Sequence, residues 1–312
     1  MVKKINQMPV KTWNWLKLNQ AETDAPDNIN NQDKISIHAD NSSGITDELP
    51  FIFENGSSTG GTIDISVDEN TDHIVLMDFK TENDASCQGY AEVMTKVRLE
   101  KKAKLTLVQV HRFASGFKFV GNIQADVGEK ADFHLIQVFI RGDETYSDVR
   151  VGLGSKKSAL HIDTGYLTTH DELLDINYVA SHSGEKSTSD ISVDGSMCDS
   201  SVKRFRGTID FQHGAVSAKG SEVENVLLLD DDVTNQTIPI ILCEEEDVEG
   251  NHGATIGRLD DEVLEYMMSR GLDEDRIRDM MKKAYVDTVL RRIPDEAGGF
   301  ADRICAEEGI SE

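Results

Sequence analysis

The feature that most constrains this fold is a long run of strand-like segments with no proline and no helical period between them. No proline occurs between Pro50 and Pro239, and proline is rare inside central strands because it cannot donate a ladder hydrogen bond. Segments that alternate apolar and polar residues, or that are rich in β-branched residues, recur between turns containing glycine, aspartate or asparagine. The clearest are ISIHA, GTIDISV, HIVLMDF, KLTLVQVHRF, DFHLIQVFI, ALHIDTGYL, DISVDGS and FRGTIDF. The sequence therefore predicts a mainly β protein.

Three domains are predicted along the chain. Residues 1–34 form an N-terminal helical or irregular segment, in which Trp13 and Leu16 lie on one side of a single amphipathic turn. Residues 35–257 form the β core, and residues 258–312 a helical segment. Since no helical period interrupts the core, βαβ crossovers are disfavoured, and a sandwich, a barrel and a solenoid of stacked coils remain open. No strict repeat separates these alternatives.

The C-terminal segment carries the signals of two successive helices. Asp260 and Asp273 are suited to cap them, and Leu272 to pack on Ile277 across the second cap. Gly271 ends the first helix and Pro294 the second, and GGFADRICAEEG predicts a third, short helix. The apolar stripe comprises Val263, Leu264, Met267 and Met268 in the first helix, and Ile277, Met280, Met281, Ala284, Tyr285, Thr288, Val289 and Ile293 in the second. Such a stripe packs on its own protein body or, when rich in methionine, on a partner.

Composition excludes several function classes. Asp and Glu number 57 against 32 Lys and Arg, a formal net charge of −25, which disfavours binding to nucleic acid or to an anionic membrane. No apolar run approaches the roughly 20 residues that span a bilayer, and the first residues do not resemble a secretory signal. The four cysteines form no CxxC pair, so we expect reduced thiols and a cytoplasmic protein.

One short stretch, ILCEEEDVEGNHGATIG, combines ligand types that hold iron or zinc. Cys243, Glu245 and His252 would supply thiolate, carboxylate and imidazole, although their spacing matches no zinc ribbon. The alternative is a strand-ending cysteine, an acidic turn in solvent and a histidine held by backbone hydrogen bonds. The other histidines lack HxH or HExxH spacing, and no phosphate-binding glycine motif precedes a helix.

The stretch EEEDVEGNHGATIGRLDDEVLEYMMSRGLDEDRIRDMMKKAYVDTVL resembles the C-terminal signature of the SufB/SufD family of iron–sulfur cluster assembly proteins. FRGTIDFQHGA, VLLLDDD and IPIIL are similar to the family's last β coils, and MPVKTWNWLKLN to an N-terminal stretch of shorter members. His252 matches the histidine of the HGAT motif. Gly253 stands where SufB has a glutamate, so the chain looks like a short SufD.

The resemblance implies a right-handed parallel β-helix with C-terminal helices that dock the ABC-type ATPase SufC. It also implies a dimer formed through the last coils, with itself or with a SufB paralogue, and a transient iron–sulfur cluster near the junction. The expected ligands are His252, Cys243 and Glu245. The expected ATPase-contacting residues are Leu264, Met267, Met268, Arg270, Met281 and Tyr285. Such a scaffold performs no bond-making catalysis.

Two other functions remain open from the sequence. A β-helix enzyme acting on carbohydrates would use paired aspartates, although many such enzymes are secreted. A structural adaptor would bind the ATPase without ever holding a cluster.

Overall fold

The computed structural model describes residues 1–12, 17–31, 34–83 and 85–310, with only the backbone of Asp261. The predicted turn at Trp13 and Leu16 lies outside the described residues. In chain order the strands are β1 (Val2–Ile5), β2 (Ala21–Asp24), β3 (Asn30–Asn31), β4 (Ile35–Ala39), β5 (Thr46–Phe53), β6 (Ser58–Val67), β7 (Asp72–Thr81), β8 (Ser86–Leu99), β9 (Lys104–Arg112), β10 (Ser115–Val127), β11 (Asp132–Arg141), β12 (Glu144–Leu153), β13 (Ala159–Thr168), β14 (Leu173–His182), β15 (Thr188–Met197), β16 (Val202–Phe211), β17 (Ala218–Leu228), β18 (Thr234–Cys243) and β19 (Val248–Arg258). The helices are α1 (Asp261–Ser269), α2 (Glu274–Leu290) and α3 (Phe300–Glu308), with a short 3₁₀ helix at Asp295–Ala297.

The strands from β3 to β19 form two parallel sheets that stack coil upon coil. Sheet I has the order β18-β16-β14-β12-β10-β8-β6-β3, with β4 also paired to β6. Sheet II has the order β19-β17-β15-β13-β11-β9-β7-β5. Each coil contributes one strand to each sheet, and each strand pairs with the strand one coil away. The structure is therefore a parallel β-solenoid, which confirms the predicted fold class. Each of the eight segments singled out in the sequence coincides with a strand, except that Phe113 lies one residue beyond β9.

The core lies between the two sheets and repeats from coil to coil. Register places Phe51, Phe79, His111 and Phe139 in one row across β5, β7, β9 and β11. Their rings stack with centroids 4.7, 5.2 and 4.6 Å apart. Parallel in-register strands project paired residues to the same face, so identical positions of successive coils fill the interior as a continuous column.

The outer face of sheet II is covered by α2 and α3. Its apolar residues pack on helix residues in a second buried cluster. The members from the sheet include Ile74, Leu76, Val108, Val110, Ile136, Val138 and Ile140, and those from the helices include Val286, Val289, Leu290, Phe300 and Ile304. Gly165 of β13 allows this contact, since a Cβ there would lie 2.9 Å from Val289 Cβ. Two of the C-terminal helices thus bury apolar side chains against the outer face of the solenoid itself.

The N-terminal segment lies against sheet I. In its described part, β1 and β2 form an antiparallel pair, where a helical or irregular segment was expected. Ile5 and Ala21 pack on Tyr90, Val120 and Tyr146 of the sheet. The segment therefore covers the outer face of the middle coils of sheet I.

Candidate functional site

The last coil brings the HGAT histidine to an open end of the solenoid. β19 pairs with β17 and β18 with β16, and no further coil stacks on them in the described part of the chain. His252 lies in the middle of β19, directly in register with Glu222 of β17. Because Glu222 is buried inside the solenoid, His252 projects to the same inner face. It is nevertheless exposed, since no further coil covers it among the described strands.

The other two predicted ligands lie elsewhere on the same coil. Cys243 is the last residue of β18, in register with Phe211, and is exposed. Glu245 lies in the turn that follows, where its carboxylate accepts hydrogen bonds from the backbone N–H of Gly214 (3.2 Å) and of Glu246 (3.1 Å). Among the described residues, no three His, Cys, Asp or Glu side chains are grouped so as to hold a metal ion. A single chain therefore does not assemble the predicted ligand set by itself.

A buried ionic layer lies one coil below His252. Lys203 of β16 forms an ion pair with Glu224 of β17, both at most 1 % exposed in their side chains. Thr237 of β18 donates to Glu224 Oε2 (2.7 Å) and accepts from Lys203 Nζ (3.2 Å). Burial lowers the pKa of Lys203 against the opposing effect of the Glu224 charge. Burial, and then the charge of Glu224, raise the pKa of Glu222 to about 8.

These interior charges were not predicted, although the sequence carries a signal for them. In β17 the buried positions alternate, and Glu222 and Glu224 occupy the same face as Ala218 and Val226. Period-two alternation therefore marks both glutamates as inward-facing. A buried acid needs a partner or a proton, and Lys203 is the partner of Glu224.

The helical pair supplies the second candidate surface. α1 begins at the predicted cap, since Asp260 accepts from the Glu262 N–H, and Gly271 (φ +95°) follows its end as expected. Asp273 caps α2 by accepting from the Arg276 N–H. α2 lies along β13 and β15, whereas α1 packs on α2.

The exposed apolar side chains of this pair differ in part from those predicted. Met268 is 47 % exposed, and Tyr266, which was not among the expected contact residues, is 59 % exposed. The Arg270 guanidinium stacks on the Tyr266 ring, 5.2 Å from its centroid. Leu264, Met267, Met281 and Tyr285 are half-buried. Val263 and Met280 are also exposed, so an apolar surface runs along α1 and the first part of α2.

The fold and the site together define a class: a parallel β-solenoid with an uncovered last coil and an appended helical pair. Residues 52–285 match the family described as SUF system FeS cluster assembly, SufBD core domain. The chain belongs to this family of iron–sulfur cluster assembly proteins, as its sequence resemblance indicated.

Individual relatives agree with this assignment. The chain is 32 % identical over 115 residues to the iron–sulfur cluster assembly protein SufD of Bacillus subtilis, covering 37 % of this chain and 26 % of the relative. It is 26 % identical over 204 residues to a SufBD family protein of Pyrococcus horikoshii, covering 65 % of this chain and 45 % of the relative. The matches thus span less than half of the length of these relatives. None of the helices in the described part of the chain has the length and apolarity to cross a membrane.

Proposed function

We propose that this chain is a scaffold subunit of a SUF-type iron–sulfur cluster assembly complex, in which a nascent cluster forms where the last coil meets a second subunit. The observation that carries the proposal is the open end of the solenoid. β18 and β19 each have a ladder partner on one side only among the described strands, and the inward-facing Ile256 is 52 % exposed. An uncovered core end with free backbone groups favours pairing with another chain.

The second subunit is another copy of this chain or a SufB-type paralogue. Two copies related by a two-fold axis would bring two His252 imidazoles, two Cys243 thiols and the neighbouring carboxylates to one seam. Such a seam supplies the grouping of ligands that one chain lacks. Imidazole and thiolate both bind iron, and a site shared between subunits can release its cargo when the subunits move apart.

Anaerobic reconstitution with iron and sulfide tests the cluster part of the proposal. The purified wild-type assembly should develop the visible absorption of an iron–sulfur cluster, and His252→Ala and Cys243→Ser should each lower it. His38→Ala, which changes an exposed histidine of β4, is the matched control and should leave the spectrum unchanged. Equal spectra for all four proteins would remove His252 and Cys243 as ligands. A wild-type assembly that binds the ATPase but never a cluster would instead identify a structural adaptor.

The helical pair is proposed to dock a SufC-type ATPase. The apolar residues of α1 and the cation–π pair of Arg270 with Tyr266 form a surface of the kind that holds a partner, since aromatic, arginine and methionine side chains are enriched at interfaces. Arg270 and Met268, both predicted from the sequence, belong to it. No nucleic acid or membrane partner is part of the proposal.

Co-purification with a SufC-type ATPase tests the docking surface. Tyr266→Asp and Met268→Asp should each reduce the retained ATPase, because a carboxylate at the centre of an apolar interface is left without water or a partner. Ile52→Asp, at an equally exposed apolar residue of β5 (58 %), should retain it fully. Wild-type protein that fails to retain the ATPase would contradict this assignment of α1 and α2.

A further inference from the structure

A basic cavity lies between the N-terminal segment and the outer face of sheet I. Its volume is about 600 Å³, and it is bounded by residues 17–22, which include the start of β2, by Arg204 of β16 and by Gln236 of β18. Its cationic lining residues are Lys4, Lys11, Lys17 and Arg204. Four cations at one cavity stand out in a chain with a net charge of −25.

These cations are not neutralised by the protein in the part of the chain that the structure describes. Many lysines elsewhere in the described chain pair with carboxylates, as Lys156 does with Glu185 (2.8 Å) and Lys219 with Glu249 (2.9 Å). Arg204 instead uses its Nε to donate to the neutral Gln236 Oε1 (3.0 Å). Among the described lining residues the one carboxylate is that of Glu22, which accepts a hydrogen bond from Gln20 Nε2 (3.1 Å). Gathering like charges raises the free energy of the folded chain, and a bound anion lowers it.

The wall of the cavity is held in place by buried groups. Arg206, 1 % exposed, donates from Nε to the Leu18 carbonyl (2.5 Å) and from Nη1 to Asp175 (2.6 Å). Asn6, also 1 % exposed, donates to the same Asp175 carboxylate (2.6 Å). The side chain of Asn19 accepts from the Thr12 N–H (3.1 Å). The turn that presents Lys17 is therefore fixed before any ligand arrives, which reduces the entropy lost on binding.

We propose that this cavity is a binding site for a small anion that carries phosphate groups and at least two negative charges. The contact with Gln236 orients the Arg204 guanidinium. The terminal N–H groups of that guanidinium can donate to two oxygens of one phosphate. The three lysines supply mobile point charges for the remaining oxygens. The volume lies within the roughly 300–1,000 Å³ typical of small-molecule pockets. A monoanion would leave most of the positive charge uncompensated.

Calorimetric titration of the full chain with inorganic pyrophosphate at low ionic strength tests the site. We expect saturable binding with one site per chain that weakens as salt is added. The double variant Lys11→Gln/Arg204→Gln should bind roughly tenfold more weakly or worse. The control Lys156→Gln removes one lysine from a remote turn and should bind as the wild type does. Melting curves confirm that each variant is folded.

Titrations with ADP and with citrate determine which chemical groups of a ligand the site recognises. ADP that binds more tightly than pyrophosphate would support the site and identify a nucleotide as the ligand type. Equal affinities would support a site that recognises the phosphate groups alone. Three results would overturn the proposal: no saturable binding of pyrophosphate, tricarboxylate citrate binding as tightly as pyrophosphate, or the folded double variant retaining wild-type affinity.

Discussion

His111 shows how much a single residue of the solenoid core depends on its column. Its ring lies between Phe79 and Phe139, is 1 % exposed, and neither ring nitrogen has a hydrogen-bond partner among the described residues. Burial lowers its pKa to about 3. His182, which contacts Ser187 and Ser189 through its two nitrogens, has a pKa lowered by burial to about 4. Both imidazoles therefore stay neutral inside the fold.

Neutral buried histidines predict a loss of stability in mild acid. A histidine in the unfolded chain takes up a proton near pH 6.5. The contribution of His111 to the free energy of unfolding is therefore fully present above that pH, and it is lost as the pH falls towards the folded-state pKa of about 3. The loss amounts to roughly 2 kcal/mol between pH 7 and pH 5. His111→Phe removes the titrating group while keeping the stack. Urea unfolding across this pH range should show a shallower acid limb for the variant, with His182 accounting for part of what remains. An unchanged pH dependence would contradict this account.

At the scale of elements, a two-residue signal recurs in six turns from sheet I to sheet II, from the β6–β7 turn to the β16–β17 turn. A residue with left-handed backbone is followed by a small, buried one. The left-handed residues are Asn70, Lys102, Lys130, Lys157, Lys186 and Ser217. The small residues are Thr71, Ala103, Ala131, Ser158, Ser187 and Ala218. The backbone N–H of Lys130 donates to the Lys156 carbonyl of the next coil (3.0 Å), and the equivalent bonds recur along the stack. The separations vary from 27 to 32 residues, which hides the repeat from a search for a fixed period.

The turn geometry predicts a steric test at Lys130. Lys130→Val should destabilise the protein by roughly 1 kcal/mol or more, because a β-branched side chain is strained at positive φ. Lys130→Gly should change stability little, since the relief of strain is offset by a more flexible unfolded chain. The control Lys104→Val places the same side chain in a strand, where β-branching is favourable. Equal denaturation midpoints for the two valine variants would refute the turn as the cause.

Helix α3 is held to the solenoid by a cluster of charges around one buried arginine. The side chain of Arg112 is 2 % exposed and binds Asp78 of β7 through two nitrogens (3.1 and 2.6 Å). Its Nη1 also donates to Glu307 (2.6 Å) and Glu308 (3.0 Å) of α3. Arg141 donates to the same Glu308 (3.2 Å). The helix is thus fastened at its C-terminal end by ion pairs and along its length by the apolar cluster.

Neutralising Glu307 and Glu308 should destabilise the packing of α3 on the solenoid without unfolding the solenoid itself. In the double variant Glu307→Gln/Glu308→Gln, Arg112 keeps its bidentate bond to Asp78, so the solenoid should remain folded. Hydrogen exchange should be faster in α3, while exchange in β7 and β9 should not change. Glu265→Gln on α1 is the control. Protection of α3 equal to that of the wild type would show that the apolar contacts suffice.

For the whole molecule, the two ends of sheet II differ in how they meet solvent. At one end, β5 carries Pro50, which cannot donate a hydrogen bond to a further strand. At the other, β19 contains no proline, and Ile256 lies on the uncovered inner face, in register with the core residue Val226. Pro239 lies in β18, so both prolines that delimit the long proline-free run occur in terminal coils. The intact edge of β19 favours association at this end.

Association through the last coil predicts an effect of charge at Ile256. Ile256→Lys should shift the protein from dimer towards monomer, because a lysine facing an end-to-end contact would be buried without a partner. Ile52→Lys at the opposite end should leave the molar mass of the assembly in solution unchanged. Light scattering coupled to size-exclusion chromatography measures both. A wild-type protein that is monomeric at all concentrations would restrict the proposal to a heteromeric partner.

Local interactions determined much of what the sequence could predict. Strand-forming segments, the caps at Asp260 and Asp273, the glycine after α1 and the position of His252 beside the helices all follow from periods and capping groups within a few residues. The stacking of coils could not be predicted in this way, because each strand pairs with a strand about a full coil away in sequence. Alternation of apolar and polar residues is equally compatible with a sandwich or a barrel. Family resemblance, not pattern, selected the solenoid.

Only the tertiary structure decided which faces are inside and what they meet. It placed α2 and α3 over sheet II, which explains why β7 of that sheet is apolar at successive positions, with Ile74 and Leu76 packed in the cluster that the helices form with the sheet. It also placed Lys203, Glu222 and Glu224 beneath His252, and among the described residues it did not group that histidine with Cys243 and Glu245 as a metal site. Side-chain partners of this kind come from different coils, and their proximity depends on register between strands that are distant in sequence. Register is a property of the whole stack, and no short segment contains it.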